Sequence, residues 1–330
     1  MKRLLLLHTG GTLGMAVPAA GALKPEGPLA GVFQYIPEAL ELADIETQAL
    51  FNMDSADMHS RHWEGMARAI EENLDRYDGF VIIHGTDTMA YSAAALSYML
   101  VNLPKPVILT GAQRPIAMIR TDARSNLVNA LELATKDIPE VGLFFNHQLF
   151  RGNRASKISI DEFDAFASPN YPALAEVGLH LEIRQEAIRR PAGLFQVQSG
   201  FSDEVLVIRL FPGMNPRHLE PLLDGPVRAF VFEAFGAGNV PSQDPSLIPF
   251  IERATEREKL VAVCSQALSG AVDLELYESA QMAATAGALS CRDMTTEAAV
   301  VKLMFLLGQF EGDVGKVRRN WDVSLAGEMS

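Results

Sequence analysis

The chain has 330 residues, and at roughly 150 residues per domain that length makes two cores the expectation. Hydrophobic residues at 48% and charged residues at 21% give the balance of a globular protein, which excludes a disordered or fibrous chain. The net charge of −13 argues against a general nucleic-acid binder, whose phosphate contacts need a basic face.

In chain order, the apolar run at 4–7 stops at His8 with no small-residue cleavage site behind it, so it reads as a buried first strand and not as a signal peptide. The segment 16–31 follows, punctuated by Pro18, Gly21, Pro25, Gly27, Pro28 and Gly31, and reads as a candidate lid. Short apolar runs at 80–83, 107–109 and 141–145, and again at 205–210, 229–232 and 260–263, have the length and branching of buried strands. Between them, 63–74, 90–100, 126–134, 245–257 and 296–307 carry apolar residues at helical spacing. Such alternation predicts an α/β protein built on parallel sheets.

The rhythm breaks around 185–202, at Arg189-Arg190-Pro191, and then restarts. This predicts a larger N-terminal parallel-sheet domain over 1–190, a linker over 191–204, and a smaller C-terminal α/β domain over 205–330. Cys264 and Cys291 lie far from any CxxC spacing, so neither a zinc site nor a disulfide framework is indicated. Two unpaired cysteines and no apolar stretch of roughly 18 residues predict a cytoplasmic protein with no membrane partner.

In an open parallel sheet the ligand crevice lies beyond the carboxyl ends of the strands. The residues following the first strand are His8-Thr9-Gly10-Gly11-Thr12, and those following the second are His84-Gly85-Thr86-Asp87-Thr88. The third strand leads into Thr110-Gly111-Ala112-Gln113-Arg114-Pro115, and the fourth toward Arg151-Gly152-Asn153-Arg154-Ala155-Ser156-Lys157. The glycines let backbone N–H groups approach a ligand, and a helix starting after Thr88 aims its positive end at an anion, which suits a carboxylate or an oxyanion. Taken singly, such residues are also ordinary turn and capping residues. A phosphate site is disfavoured: GxxxxGK[ST] is absent, and the glycine run from Gly236 to Pro241 lacks the last glycine of GxGxxG.

A threonine hydroxyl attacks only when a neighbouring base takes its proton, and a lysine serves as base only when neutral. Thr86, Asp87 and Lys157 can form such a relay, with one tension inside it: Asp87 favours the charged lysine. His59 and His62 have helical spacing, but no nearby acid or cysteine completes a metal set, so no metal is expected. His8 and His84 read as hydrogen-bonded structural residues.

These residues resemble the bacterial-type L-asparaginase family, most closely its cytoplasmic type I branch. The likeness is carried by Thr9-Gly10-Gly11-Thr12-Leu13-Gly14-Met15, by His84-Gly85-Thr86-Asp87-Thr88-Met89 and by Gly111-Ala112-Gln113-Arg114-Pro115. Two longer stretches, 143–154 and 163–170, agree as well, and the two threonine motifs lie 74 positions apart. The resemblance implies hydrolysis of L-asparagine to L-aspartate and ammonia, with no cofactor, by a two-domain homodimer or homotetramer. It implies Thr12 as nucleophile and Thr86, Asp87 and Lys157 as the accompanying catalytic set. Ser55 and Asp57 match the stretch that grips the amino-acid end of the substrate, with Asp54 beside them. Gly11, Gly85 and Ala112 complete the substrate-binding set, and Asp87 pairs with the substrate ammonium.

One departure is plain. The N-terminal loop carries Gly21-Ala22-Leu23-Lys24-Pro25 where many members have a tyrosine. Tyr277 resembles a tyrosine that some members have in the C-terminal domain, and it would supply the phenol, from a neighbouring subunit if need be; as a packing residue it would supply nothing. Two other functions fit the same residues: the amidase subunit of a tRNA-dependent amidotransferase, and a non-catalytic amino-acid sensor.

Overall fold

The computed structural model describes residues 1–16, 24–25 and 31–330, at 15, 16, 24 and 25 the backbone only. The candidate lid at 16–31 therefore lies almost wholly outside the described residues. The chain forms two units, Met1–Gln198 and Ser199–Ser330.

In the first unit the elements that build the site are β1 (Arg3–Gly10), β2 (Asp44–Met53), α1 (Ser60–Asn73), β3 (Gly79–Ile83), α2 (Met89–Met99), β4 (Val107–Thr110), α3 (Ala123–Leu133) and β5 (Val141–Phe145). After them come β6 (Gln148–Arg151), β7 (Ser156–Lys157), β8 (Phe166–Ala167), β9 (Ala175–Val177) and β10 (Leu181–Ile183). Eight of these strands form one sheet in the order β10-β9-β6-β5-β4-β3-β1-β2. The pairs from β2 through β5 are parallel, whereas β6, β9 and β10 add an antiparallel margin, so the sheet is mixed where a parallel one was expected.

Leu4, Leu6, Val81 and Ile83 share a core with Ala123, Leu127 and Leu131 of α3, and the alternate residues Leu5, Leu7 and Ile82 are equally buried. A sheet covered on both faces explains why these strands read as unbroken apolar runs. β2 is different. Its sequence Asp-Ile-Glu-Thr-Gln-Ala-Leu-Phe-Asn-Met lies along the sheet margin and is mostly exposed, so no apolar run betrays it.

Residues Gln196–Val197, inside the stretch read as a linker, pair antiparallel with Leu100–Val101 and so belong to the first unit. The second unit contains β11 (Val205–Arg209), β12 (Ala229–Ala234), α4 (Ile248–Glu256), β13 (Leu260–Ser265), α5 (Glu278–Thr285), β14 (Leu289–Ser290), α6 (Thr296–Gln309) and α7 (Val314–Asn320). Its four strands are parallel, in sequential order. Phe230, Phe232, Val261 and Val263 meet Phe250, Ile251 and Ala254 of α4 in its core. The C-terminal segment is tied down by charge: Lys302 and Glu328 form a 2.7 Å ion pair with no side-chain exposure. The Lys302 ammonium also donates to the Trp321 and Val323 carbonyls. Among the described residues no helix is long and apolar enough to cross a membrane.

Candidate active site

Register sets the site. His8 of β1 stands opposite Ile83 of β3, Ile83 opposite Thr110 of β4, and Gly10 opposite Met53 of β2. Four neighbouring parallel strands therefore end at one level, and their next residues, Gly11-Thr12, His84-Gly85-Thr86, Gly111-Ala112-Gln113 and Asp54-Ser55, share one edge. Three of these four turns match the strand ends read from the sequence. The fourth follows β2, whose polar, mostly exposed sequence gives no strand signal.

Backbone contact then locks the turns together. Gly11 has φ +89°, and a Cβ there would lie 2.6 Å from the Gly85 nitrogen and 2.7 Å from its Cα. A Cβ on Gly85 would lie 2.5 Å from Ser55 Oγ. Only glycines let the Thr12 turn, the Thr86 turn and buried Ser55 approach this closely. Thr12 itself sits half-buried in a short helical turn, Thr12–Gly14. Thr88 Oγ1 donates to the Ser55 carbonyl at 2.8 Å, tying the start of α2 to the β2 turn, and Asp54 accepts the Ala56 N–H at 2.9 Å. Asp57 is exposed on the same turn, and Ala112 is buried on the β4 turn.

Lys157 closes the cluster. Its ammonium donates to Thr86 Oγ1 at 2.9 Å and to Asp87 Oδ1 at 2.5 Å. The lysine side chain is mostly buried, at 18% exposure, while Asp87 is 64% exposed. The Thr86 hydroxyl in turn donates to Gln113 Oε1 at 3.4 Å. The route by which Lys157 arrives corrects the expectation that it follows a parallel strand end. β5 turns at Asn146-His147 into antiparallel β6, which returns to the amino side of the sheet where Arg151 pairs with Gly142. The chain then runs forward again to the separate ribbon β7-β8, in which Lys157 pairs with Phe166.

Further hydrogen bonds hold the turns from behind. Buried Asp122 accepts the Gln113 N–H at 2.9 Å and the Arg114 N–H at 3.1 Å, and Asn126 Nδ2 donates to both the Asp122 carboxylate and the Gly111 carbonyl. Burial raises the Asp122 pKa, opposed by those amides. His84, fully buried, has its pKa lowered to about 4 by desolvation, against the pull of the Gly85 carbonyl, and is neutral near pH 7. Gln113, Asp122, Asn126, Trp63 and Ser92 were not among the site residues expected from sequence. Asp122 and Asn126, four apart at the start of α3, carried a local signal; Trp63 and Ser92 lie on separate helices and carried none.

Tyr277 belongs to the second unit, where it stands half-exposed just before α5. His59 and His62 serve the start of α1: His62 Nδ1 accepts the His59 N–H at 3.2 Å, and the rings meet edge to face. Among the described residues no group of three or more His, Cys, Asp and Glu side chains is arranged to hold a metal ion.

Residues 3–189 match the family model for the asparaginase N-terminal domain, and residues 204–320 match that for the glutaminase/asparaginase C-terminal domain. The chain is 39% identical to "L-asparaginase 1" of Escherichia coli over 337 residues, covering 100% of this chain and 98% of that protein. Among solved structures, two align over almost their full lengths. L-asparaginase I from Vibrio cholerae has a TM-score of 0.90 at 40% identity, covering 100% of this chain and 99% of that one. The thermostable L-asparaginase from Thermococcus kodakarensis has a TM-score of 0.92 at 36% identity, covering 99% of each.

Proposed function

The chain belongs to the asparaginase family, and from that premise we propose that it is an amidohydrolase converting L-asparagine to L-aspartate and ammonia. The observation that carries this reading is the contact of Lys157 with Thr86 and Asp87 beside the turn that holds Thr12.

Thr12 Oγ attacks the side-chain amide carbon as its proton passes to a base, and the tetrahedral oxyanion is held by backbone N–H groups of the glycine turns. Collapse expels ammonia, which takes up a proton from the site, and leaves an ester on Thr12. A water molecule, deprotonated by the Thr86–Lys157 pair, then attacks that ester and releases aspartate.

The Lys157–Asp87 ion pair defines the resting state. A lysine engaged by a carboxylate is an ammonium and gives hydrogen bonds, so at rest Thr86 receives from Lys157 and donates to Gln113. The exposed Asp87 is open to the substrate ammonium. Its arrival divides the carboxylate between two cations and loosens the hold on Lys157. Ser55, Asp57 and Asp54 grip the remaining amino-acid end, and Gly11, Gly85 and Ala112 line it with backbone.

We also propose that the protein is cytoplasmic and works as a homodimer or homotetramer, and that the half-exposed Tyr277 supplies a phenol to the reaction. Two free, buried cysteines support a reducing location. A coupled ammonia assay with asparagine and glutamine, alongside mass measurement in solution, tests the whole reading. Asparagine turnover is expected, falling by at least about 10³-fold in Thr12→Val and in Lys157→Met, the scale on which single catalytic groups act. Tight asparagine binding without turnover by the wild type would indicate a sensor instead. Unchanged turnover in Tyr277→Phe removes that residue from the mechanism.

A further inference from the structure

Behind the Thr86 turn lies a chain of three buried hydrogen bonds that the mechanism above does not use. Trp63 Nε1 lies 2.9 Å from Ser92 Oγ, Ser92 Oγ lies 2.8 Å from His84 Nε2, and His84 Nδ1 lies 2.7 Å from the Gly85 carbonyl oxygen. Chemistry fixes every direction in it. A carbonyl oxygen only accepts, so Nδ1 carries the proton; a neutral imidazole then offers Nε2 as acceptor, which the Ser92 hydroxyl must meet as donor; and indole N–H only donates, leaving Ser92 Oγ as its acceptor. No member has a choice of role.

The end of the chain is a peptide plane. The Gly85–Thr86 bond is trans, so its C=O and N–H point in opposite directions. Holding the Gly85 carbonyl inward against His84 turns the Thr86 N–H away from that histidine, and among the described residues no acceptor meets this N–H. Thr86 is a buried residue, and an N–H there that meets no protein acceptor is placed to meet a ligand atom.

We propose that Trp63, Ser92 and His84 are positioning residues that lock the Gly85–Thr86 peptide so that the Thr86 N–H is presented to the carboxamide oxygen as it becomes an oxyanion. Trp63 comes from α1 and Ser92 from α2, so the two helices packed behind the sheet set the angle of one catalytic amide. This inference rests on the amidohydrolase reading for its kinetic consequence, but not for its proton placement.

The test compares two isosteres. His84→Asn puts an amide donor near the position of Nδ1, and His84→Gln puts one near Nε2. The expectation is that His84→Asn keeps kcat within about 3-fold of wild type, while His84→Gln loses about 10- to 100-fold in kcat with KM within about 2-fold, at matched melting temperatures. Ser92→Ala, which leaves Nε2 without its donor, is expected to lose about 3- to 10-fold in kcat alone. Equal kcat in the two His84 variants, or wild-type kcat in Ser92→Ala, overturns the proposal. Long-range 1H–15N correlation on histidine-labelled protein, assigned by the resonance missing in His84→Asn, is expected to show the Nδ1–H form of His84. An Nε2–H form overturns the proposal whatever the activity. Absence of asparagine turnover in the wild type, with the Nδ1–H form present, fails the functional reading and leaves the peptide placement supported.

Discussion

Replacing Gly11 with alanine separates two effects of the same glycine. The added Cβ would meet the Gly85 nitrogen at 2.6 Å, the Gly85 Cα at 2.7 Å and the His84 carbonyl carbon at 2.9 Å. All three are backbone atoms, so no flexible side chain can give way, and the two turns must part by about 0.8 Å to reach ordinary contact near 3.4 Å. The φ of +89° adds torsional strain, on the order of 1–3 kcal/mol. Since a misplacement near 1 Å costs about 10²-fold in rate, kcat for ammonia release is expected to fall about 100-fold in a protein that still folds. Gly213→Ala is the control: its φ is +87°, nearly the same, but nothing lies within 4 Å of the new Cβ. That variant is expected to lose stability by about 1 kcal/mol and keep its kcat. The reasoning fails if Gly11→Ala retains wild-type kcat, or if both alanines reduce kcat alike.

Lys302→Met leaves Glu328 charged in a site with no solvent exposure, and urea titration is expected to show a loss of about 3–5 kcal/mol, part of it recovered when Glu328→Gln is added; a loss under 1 kcal/mol would argue that the pair is not buried in solution. The pH dependence of stability has a defined sign at His84. Its folded pKa of about 4 lies below the unfolded value of 6.5, so the unfolded chain binds more protons between them. This contribution is complete above pH 6.5 and is lost as pH falls toward 4, by on the order of 3 kcal/mol. Melting curves of His84→Asn across this range are expected to show a correspondingly shallower decline than wild type; parallel declines would refute it.

Strands buried on both faces were legible because both faces need apolar residues: Leu4 to Leu7 and Phe80 to Ile83 announce themselves without any neighbour. β2 was not legible, since a margin strand with one sheet neighbour and solvent beyond it tolerates Asp44, Glu46, Thr47 and Gln48. The turns after β1, β3 and β4 stood out through glycine and hydroxyl residues. What joins them did not, because Gly11 meeting Gly85, or Gln113 meeting Thr86, is a fact of register between segments far apart in the chain. The path to Lys157 is hidden for a related reason: nothing in the sequence of 146–157 announces that the chain doubles back before delivering the lysine.

That detour divides the site between two kinds of support. The Thr12, Thr86 and Ser55 hydroxyls follow strand ends that cannot shift without disturbing a core, whereas Lys157 rides on a two-stranded appendage whose connecting segment, 158–165, is largely exposed. Substitutions, insertions or deletions there can reposition one charge by fractions of an ångström while every sheet contact stays as it is. Divergence and laboratory selection alike therefore have a simple dial for substrate fit, separate from the scaffold that keeps the protein folded.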